Sequence, residues 1–325
     1  MIIWYILIFI ASCFALSFCG SWLVRGLTKI AHILGWREYV TAFIIMAFAA
    51  SLPNLFVGLN AAFKGIPELS LGDILGGNLV DITIVAALAV LIAGKPMVIR
   101  SKMVETSAIF AVIIAIIPII LLLDGRLSRA DGLVLILLFC LYLAWLFHKQ
   151  ERFKKEYHDK LSKEEKLKTT AQKTGEFFKN LGMIVGALGL LCLASEAIVR
   201  TASYFAQQFN LPLITIGLIV VGLGNALPET YFTIISARKK EFYLILGDLF
   251  GSIIVPATLV LGTVILVHPI VIDNFSSLLT ARLFLLVGAL LFLTFLRTGK
   301  SLSRREAIIL LFLYVLFLVV EIVVK

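Results

Sequence analysis

Residues 51–85 read SLPNLFVGLNAAFKGIPELSLGDILGGNLVDITIV, and residues 226–260 read ALPETYFTIISARKKEFYLILGDLFGSIIVPATLV. Laid over one another at an offset of 175, the two stretches share 12 identities in 35 positions without a gap. Apolar composition supplies several of these matches by itself. It does not readily place Pro, Gly, Asp and Lys together. Leu52-Pro53 falls on Leu227-Pro228, Leu71-Gly72-Asp73 on Leu246-Gly247-Asp248, and Gly76 on Gly251. Lys64 falls on Lys239 and Thr83 on Thr258, and outside the stretch Arg25 falls on Arg200. The chain is read as a duplicated unit.

Composition gives the unit its solvent. Of 325 residues, 61% are hydrophobic and 15% charged, and the mean hydropathy is +1.04. Average soluble domains carry about 25% charged residues. A soluble domain and a disordered chain are both excluded. Apolar runs near 20 residues recur, each enough to cross a ~30 Å hydrocarbon layer. Barrel strands would not give such continuous runs. The fold class is an all-α membrane protein. Ten transmembrane helices are expected near 2–24, 41–63, 70–93, 104–123, 131–148, 181–205, 212–237, 243–267, 279–296 and 305–324. The first 20 residues lack a basic leader and an Ala-x-Ala-like cleavage site, so they read as a retained span. The net charge of +9 is attributed to loops facing anionic lipid rather than to nucleic acid. Cys13, Cys19, Cys140 and Cys192 read as small hydrophobes in apolar spans. His32, His148, His158 and His268 sit at loops or span edges and form no recognisable metal site. No Gly-x-x-x-x-Gly-Lys-Ser/Thr run exists, which argues against direct ATP drive.

The one long polar stretch, His148 to Lys179, holds ten Lys/Arg and six Asp/Glu. It reads as a solvated linker helix between two five-span halves: a first repeat at 1–147, a linker at 148–180 and a second repeat at 181–325. Loops on the linker's side carry 23 Lys/Arg against 6 on the other, and 13 when the linker is left out. The positive-inside rule puts the linker in the cytoplasm and both termini outside, in a multi-pass cell-membrane protein. Five is odd, so the second repeat enters the bilayer from the opposite side. Two inverted five-helix repeats are a mark of secondary transporters, whose sites lie near the midplane at broken helices.

Matching breaks are expected at Leu52-Pro53 and Leu227-Pro228, because proline removes an N–H and clashes with the carbonyl four residues back. Gly76-Gly77 and Gly251-Ser252 are expected to loosen the following span of each half. Beside these breaks lie ionisable groups, which are costly at a span centre and therefore functional candidates. Asp81 lies midway through the third span, and Glu229 midway through the seventh. Neutral oxygens at similar depth come from Ser51, Asn54, Asn78, Asn225 and Ser252, with Thr83 and Thr258 as further candidates. Hard cations such as Ca²⁺ want six to eight oxygens and several carboxylates. Asp73 and Asp248 read either as helix N-caps or as acids along the ion path. Glu196 has Arg200 four residues on, the spacing of a local helix pair.

These residues resemble a known family. Ala50-Ser51-Leu52-Pro53-Asn54 and Asn225-Ala226-Leu227-Pro228-Glu229 are similar to the two Leu-Pro-Glu segments of the cation/Ca²⁺ exchanger superfamily. Gly76-Gly77-Asn78-Leu79-Val80-Asp81 and Gly251-Ser252-Ile253-Ile254-Val255-Pro256 are similar to its Gly-Ser-Asn segments. Span number, inverted halves and a cytoplasmic central loop match its prokaryotic Na⁺/Ca²⁺ exchangers. The resemblance implies that Glu229 binds the ion, that Ser51 and Ser252 keep site oxygens, that Asn225 stands where a hydroxyl is common, and that Asp81 is a partner carboxylate. The chain departs from the pattern at Asn54 for the first glutamate, Gly77 for the first serine, and Pro256 opposite Asp81. Ala50 and Ala226 lack hydroxyls. Gly224-Asn225-Ala226 also resembles the Ca²⁺/H⁺ branch.

The sequence is therefore read as an alternating-access antiporter, not an enzyme, with no cofactor, carrying Ca²⁺ against Na⁺. Ca²⁺/H⁺ antiport is the alternative, as is exchange of Mg²⁺ or of monovalent ions on the same fold. A remote alternative is an intramembrane aspartyl protease, since Leu-Gly-Asp occurs twice. Its Gly-x-Gly-Asp motif lacks the first glycine here, with Ser70 and Ile245 in that place, and no Tyr-Asp pair occurs.

Overall fold

The apolar runs fold as helices because lipid offers no partner for a backbone N–H or C=O, and a helix satisfies each of them within its own segment. The computed structural model describes residues 1–33, 38–98, 102–150, 170–272 and 276–324. In order, the helices are α1 (Ile2–Ile33), α2 (Glu38–Phe63), α3 (Glu68–Ala93), α4 (Lys102–Leu121), α5 (Arg129–Gln150) and α6 (Thr170–Phe209). They continue with α7 (Leu213–Lys239), α8 (Phe242–Val255 continuing to Val267), α9 (Ser276–Thr298) and α10 (Arg304–Val324). Among the described residues, nine helices are long and apolar enough to cross a membrane, against ten spans read from the sequence. The residues of α2 are not among the nine. Most of the polar stretch expected as a linker helix, 151–169, lies outside the described residues. At its edges α5 reaches Gln150, and α6 begins at Thr170, earlier than the span expected at 181.

The breaks differ from expectation. α2 runs unbroken through Pro53. α7 is interrupted at Ala226 (φ −81°, ψ 0°), and a new helical segment starts at Leu227 with Pro228 in its first turn. The proline is the same in both helices, so the residues before it decide. Ala49-Ala50-Ser51 precedes Pro53 and favours helix, whereas Gly222-Leu223-Gly224-Asn225 precedes the break with two of the poorest interior helix formers. Gly76-Gly77 and Gly251-Ser252 do not interrupt their helices. Instead a π turn follows a few residues later in each, at Asp81–Val85 in α3 and Pro256–Val260 in α8. A third π turn occupies Gly217–Val221 in α7.

Several features recur at the offset of 175. The two π turns do so. The α2–α3 connection puts Gly65 at φ 71° and the α7–α8 connection puts Lys240 at φ 61°. Each helix end is closed by the same pair of bonds: Gly65 and Ile66 N–H donate to Ala62 and Ala61 carbonyls, as Lys240 and Glu241 donate to Ala237 and Ser236. Four short strands pair across the halves: β1 (Met97–Val98) with β4 (Ser301–Leu302), and β2 (Arg126–Leu127) with β3 (Ile270–Val271), both antiparallel.

Two apolar clusters result. The larger gathers α3, α4, α5, α8, α9 and α10 around side chains such as Phe292, Phe317, Leu71 and Met97. The smaller joins α1 to α6 with parts of α2 and α7, and Tyr5 stacks on Tyr204 with ring centroids 3.7 Å apart. On the outside, Ile3, Leu7, Ile10, Phe14 and Phe18 of α1 form an exposed apolar stripe at helical spacing, as a lipid-facing surface requires. Where α3 meets α7, the backbones touch: a Cβ on Gly76 would stand 2.1 Å from the Leu218 carbonyl oxygen, and one on Gly72 would stand 2.3 Å from that of Ile214. Small residues are what allow such an approach.

A buried carboxylate centre at the α7 break

The break in α7 places two polar residues on either side of it. Asn225 ends the first segment, and Glu229 lies in the first turn of the second. A carboxylate there meets free N–H groups and the positive end of the helix dipole. Glu229 is 8% exposed, and its Oε2 has no hydrogen-bond partner among the described residues. Asp81, 3% exposed, opens the π turn of α3; such single-turn bulges are frequent at functional sites. The Ser252 hydroxyl of α8 donates to Asp81 Oδ2 at 2.6 Å, while Asp81 Oδ1 has no partner among the described residues. The second segment of α7 packs against the π turn of α3 and against α8. Glu229 interacts electrostatically with Asp81, Asp248 and Asp73.

Asn225 spans a different gap. Its Nδ2 donates to both oxygens of Asp73, at 3.0 and 2.9 Å, and its own Oδ1 is left without a partner among the described residues. Asp73 is fully buried and five residues into α3, whose N-cap is Pro67. Asp248 lies within α8, whose N-cap is Glu241. Neither is an N-cap, which corrects that reading: both aspartates lie more than a turn inside their helices, too deep to reach the free N–H groups of the ends. Ser51 and Asn78 are buried and Asn54 half-buried, and Asn78 Nδ2 has no partner among the described residues. Thr83 and Thr258 sit inside the matched π turns, where their hydroxyls donate to the Leu79 and Ile254 carbonyls four residues back. Their protons are therefore spent on their own helices.

One residue of this region is not singled out by the sequence motifs. Thr233 is wholly buried, and its Oγ1 has no partner among the described residues. It follows Glu229 by one helical turn, and that spacing, which puts the two on one face, is the available signal. Among the described residues, no three of His, Cys, Asp and Glu converge as a ready metal cluster. The region instead offers two buried carboxylates, Asp81 and Glu229, with the Ser252 hydroxyl on Asp81. Within α6, Glu196 accepts from Arg200 Nε at 2.6 Å, the local pair expected, and from Lys64 Nζ of the α2–α3 connection at 2.7 Å. Asn60 of α2 donates to the Ser195 hydroxyl beside it.

A helical bundle with acids and amides buried against a broken helix fits the ion-transporting class of multi-pass membrane proteins, and the comparison with known proteins gives that class. The chain belongs to the sodium/calcium exchanger protein family, which matches twice, at residues 4–148 and 179–323. That family and the structural neighbours below are transporters rather than enzymes. A curated relative, the sodium/calcium exchanger MaX1 of Methanosarcina acetivorans, is 24% identical over 93% of each chain. Among solved structures, the sodium-calcium exchanger NCX_Mj aligns with a TM-score of 0.65 and 22% identity, covering 98% of this chain and 99% of that one. An H⁺/Ca²⁺ exchanger, CAX, aligns with a TM-score of 0.77 and 17% identity, covering 97% of this chain and 82% of that one. Cation antiport is thereby supported for this chain, and the membrane exchanger fold is shared.

Proposed function

We propose that the protein exchanges Ca²⁺ for Na⁺ by alternating access, with Asp81 and Glu229 holding the cation between them. One observation carries this reading. Asp81 Oδ1, Glu229 Oε2 and Asn225 Oδ1 are three buried acceptor oxygens with no donor among the described residues. A buried acceptor without a donor costs roughly 1–3 kcal/mol, and an unpaired charge costs more. A cation held between the two carboxylates would supply the missing partner, and oxygen ligands with two carboxylates suit Ca²⁺. Ser252, Ser51, Asn54 and Asn78 complete the shell. The family match and MaX1 support the pairing of Ca²⁺ with Na⁺.

In this reading residues 1–147 and 181–325 are two five-helix repeats of opposite orientation, ten spans in all, joined by a cytoplasmic linker at 148–180, with both termini outside. The double family match, the paired π turns and the crosswise strand pairs support a two-fold arrangement. α1 and α6, which share their own apolar cluster, rock as a unit across the rest. A second reading, Ca²⁺/H⁺ antiport through the same centre, is favoured by Gly224-Asn225-Ala226. Radiolabelled Ca²⁺ uptake into proteoliposomes separates the two. An outward-directed Na⁺ gradient drives uptake in the first case. In the second, a pH gradient in Na⁺-free buffer suffices. Uptake that ignores both gradients would overturn antiport.

A further inference from the structure

The α7–α8 hairpin fixes which residues share a depth. The chain turns at Lys240-Glu241, and α7 packs against α8 on either side of that turn. Glu229 stands eleven residues before Lys240 and Ser252 eleven after Glu241, so both lie at the level of the centre. Thr233 stands seven before and Asp248 seven after, which puts them at one shared level, roughly 10 Å from the turn. That level is one helical turn from Glu229, between the centre and the membrane face of the turn.

Both groups have unused oxygens. Asp248 Oδ2 and Thr233 Oγ1 are buried atoms without a partner among the described residues. The Thr233 hydroxyl does not donate to the carbonyl four residues back, whereas the hydroxyls of Thr230, Thr258 and Thr263 all do so. Asp248 also interacts electrostatically with Asp81 and Glu229. The other half offers no such pair. At the equivalent level, Asp73 has both oxygens taken by Asn225, and Gly58 stands where Thr233 would. The residue at the offset from Asn225 is Ala50, which brings Asp248 no amide.

We propose that Asp248 and Thr233 form an outer stop for the transported cation on the α7–α8 side of the centre, with no counterpart on the α2–α3 side. The stop captures a cation arriving from the face of the Lys240 turn and hands it one turn inward to Glu229 and Asp81. By the Lys/Arg count that face is cytoplasmic. The inference rests on the antiport reading and adds a sidedness to it.

The test is radiolabelled Ca²⁺ transport in right-side-out and inside-out proteoliposomes. D248N is expected to raise the KM for Ca²⁺ presented at the α7–α8 face by about tenfold, the scale on which a charged cleft gathers ions, and to leave the other face unchanged. T233V, which keeps the side-chain shape, shifts the same KM in the same direction. D73N produces no such one-sided shift. Equal effects of D248N on both faces, an unchanged KM, or the same one-sided effect from D73N would overturn the stop. E229Q tells a failure of the stop from a failure of the centre. If E229Q is dead and D248N is normal, the stop alone fails. If E229Q transports like the parent, the central site itself is wrong.

Discussion

At the residue scale, the proposed chemistry rests on two side chains, and Lys240 is one of three non-glycine residues, with Asn210 and Lys300, that have a positive φ among the described residues. Glu229 and Asp81 keep open oxygens in an apolar interior, which is tolerable only beside a cation or a proton. Lys240 holds a left-handed backbone at φ 61°, where its equivalent in the first half is a glycine. A side chain in that region costs on the order of 1 kcal/mol. Lys240→Gly is therefore expected to raise the thermal midpoint in detergent by a degree or two without altering transport; a lowered midpoint would contradict the strain. The two acids are legible in the sequence because Glu229 is the lone charge of its apolar run and Asp81 is a charge at the middle of one. The Asn225–Asp73 bond is not, since it joins residues 152 apart and no local pattern announces it. Lys64 at Glu196 escapes for the same reason, while Arg200, four residues away, is plain.

At the scale of elements, the helix irregularities shape the proposed site. Proline predicts a break in both α2 and α7, and it breaks only α7, because the preceding glycines there weaken the helix that alanines sustain in α2. The π turn of α3 has no sequence signal, since no residue type there demands one. In α8, Pro256 opens the turn and supplies no N–H to the ladder. The glycines matter for contact rather than looseness. Gly76→Ala would push a methyl into the Leu218 carbonyl and separate α3 from α7. A cost of about 1–3 kcal/mol is expected, as in other overpacked interiors. A drop of several degrees in midpoint, with transport falling alongside, would bear this out. A neutral effect would mean that α3 and α7 part easily.

At the scale of the whole molecule, hydropathy makes the helical membrane fold readable, and the 175-residue offset agrees with a family match that occurs twice along the chain. The same offset shows the two halves filled with different polar groups: Ser252 and Asn225 fall opposite Gly77 and Ala50, whereas Ser51, Asn78 and Asp81 fall opposite Ala226, Ile253 and Pro256. Two central carboxylates supply two negative charges. One Ca²⁺ or two Na⁺ leaves the centre neutral, whereas three Na⁺ leaves it charged in a medium of low dielectric. Ca²⁺ uptake into reconstituted vesicles should accordingly be indifferent to an imposed membrane potential, as electroneutral exchange of about two Na⁺ per Ca²⁺ requires, and uptake that responds to the potential as exchange of three Na⁺ would is the result that refutes the charge argument.

The claim that Asp81 and Glu229 jointly grip one cation is tested most directly by equilibrium binding of radiolabelled Ca²⁺ to the purified full-length protein in detergent. The account predicts one saturable ion per chain, with binding lost in both Glu229→Gln and Asp81→Asn while each variant stays folded. Saturable binding in either variant with the affinity of the parent would contradict it.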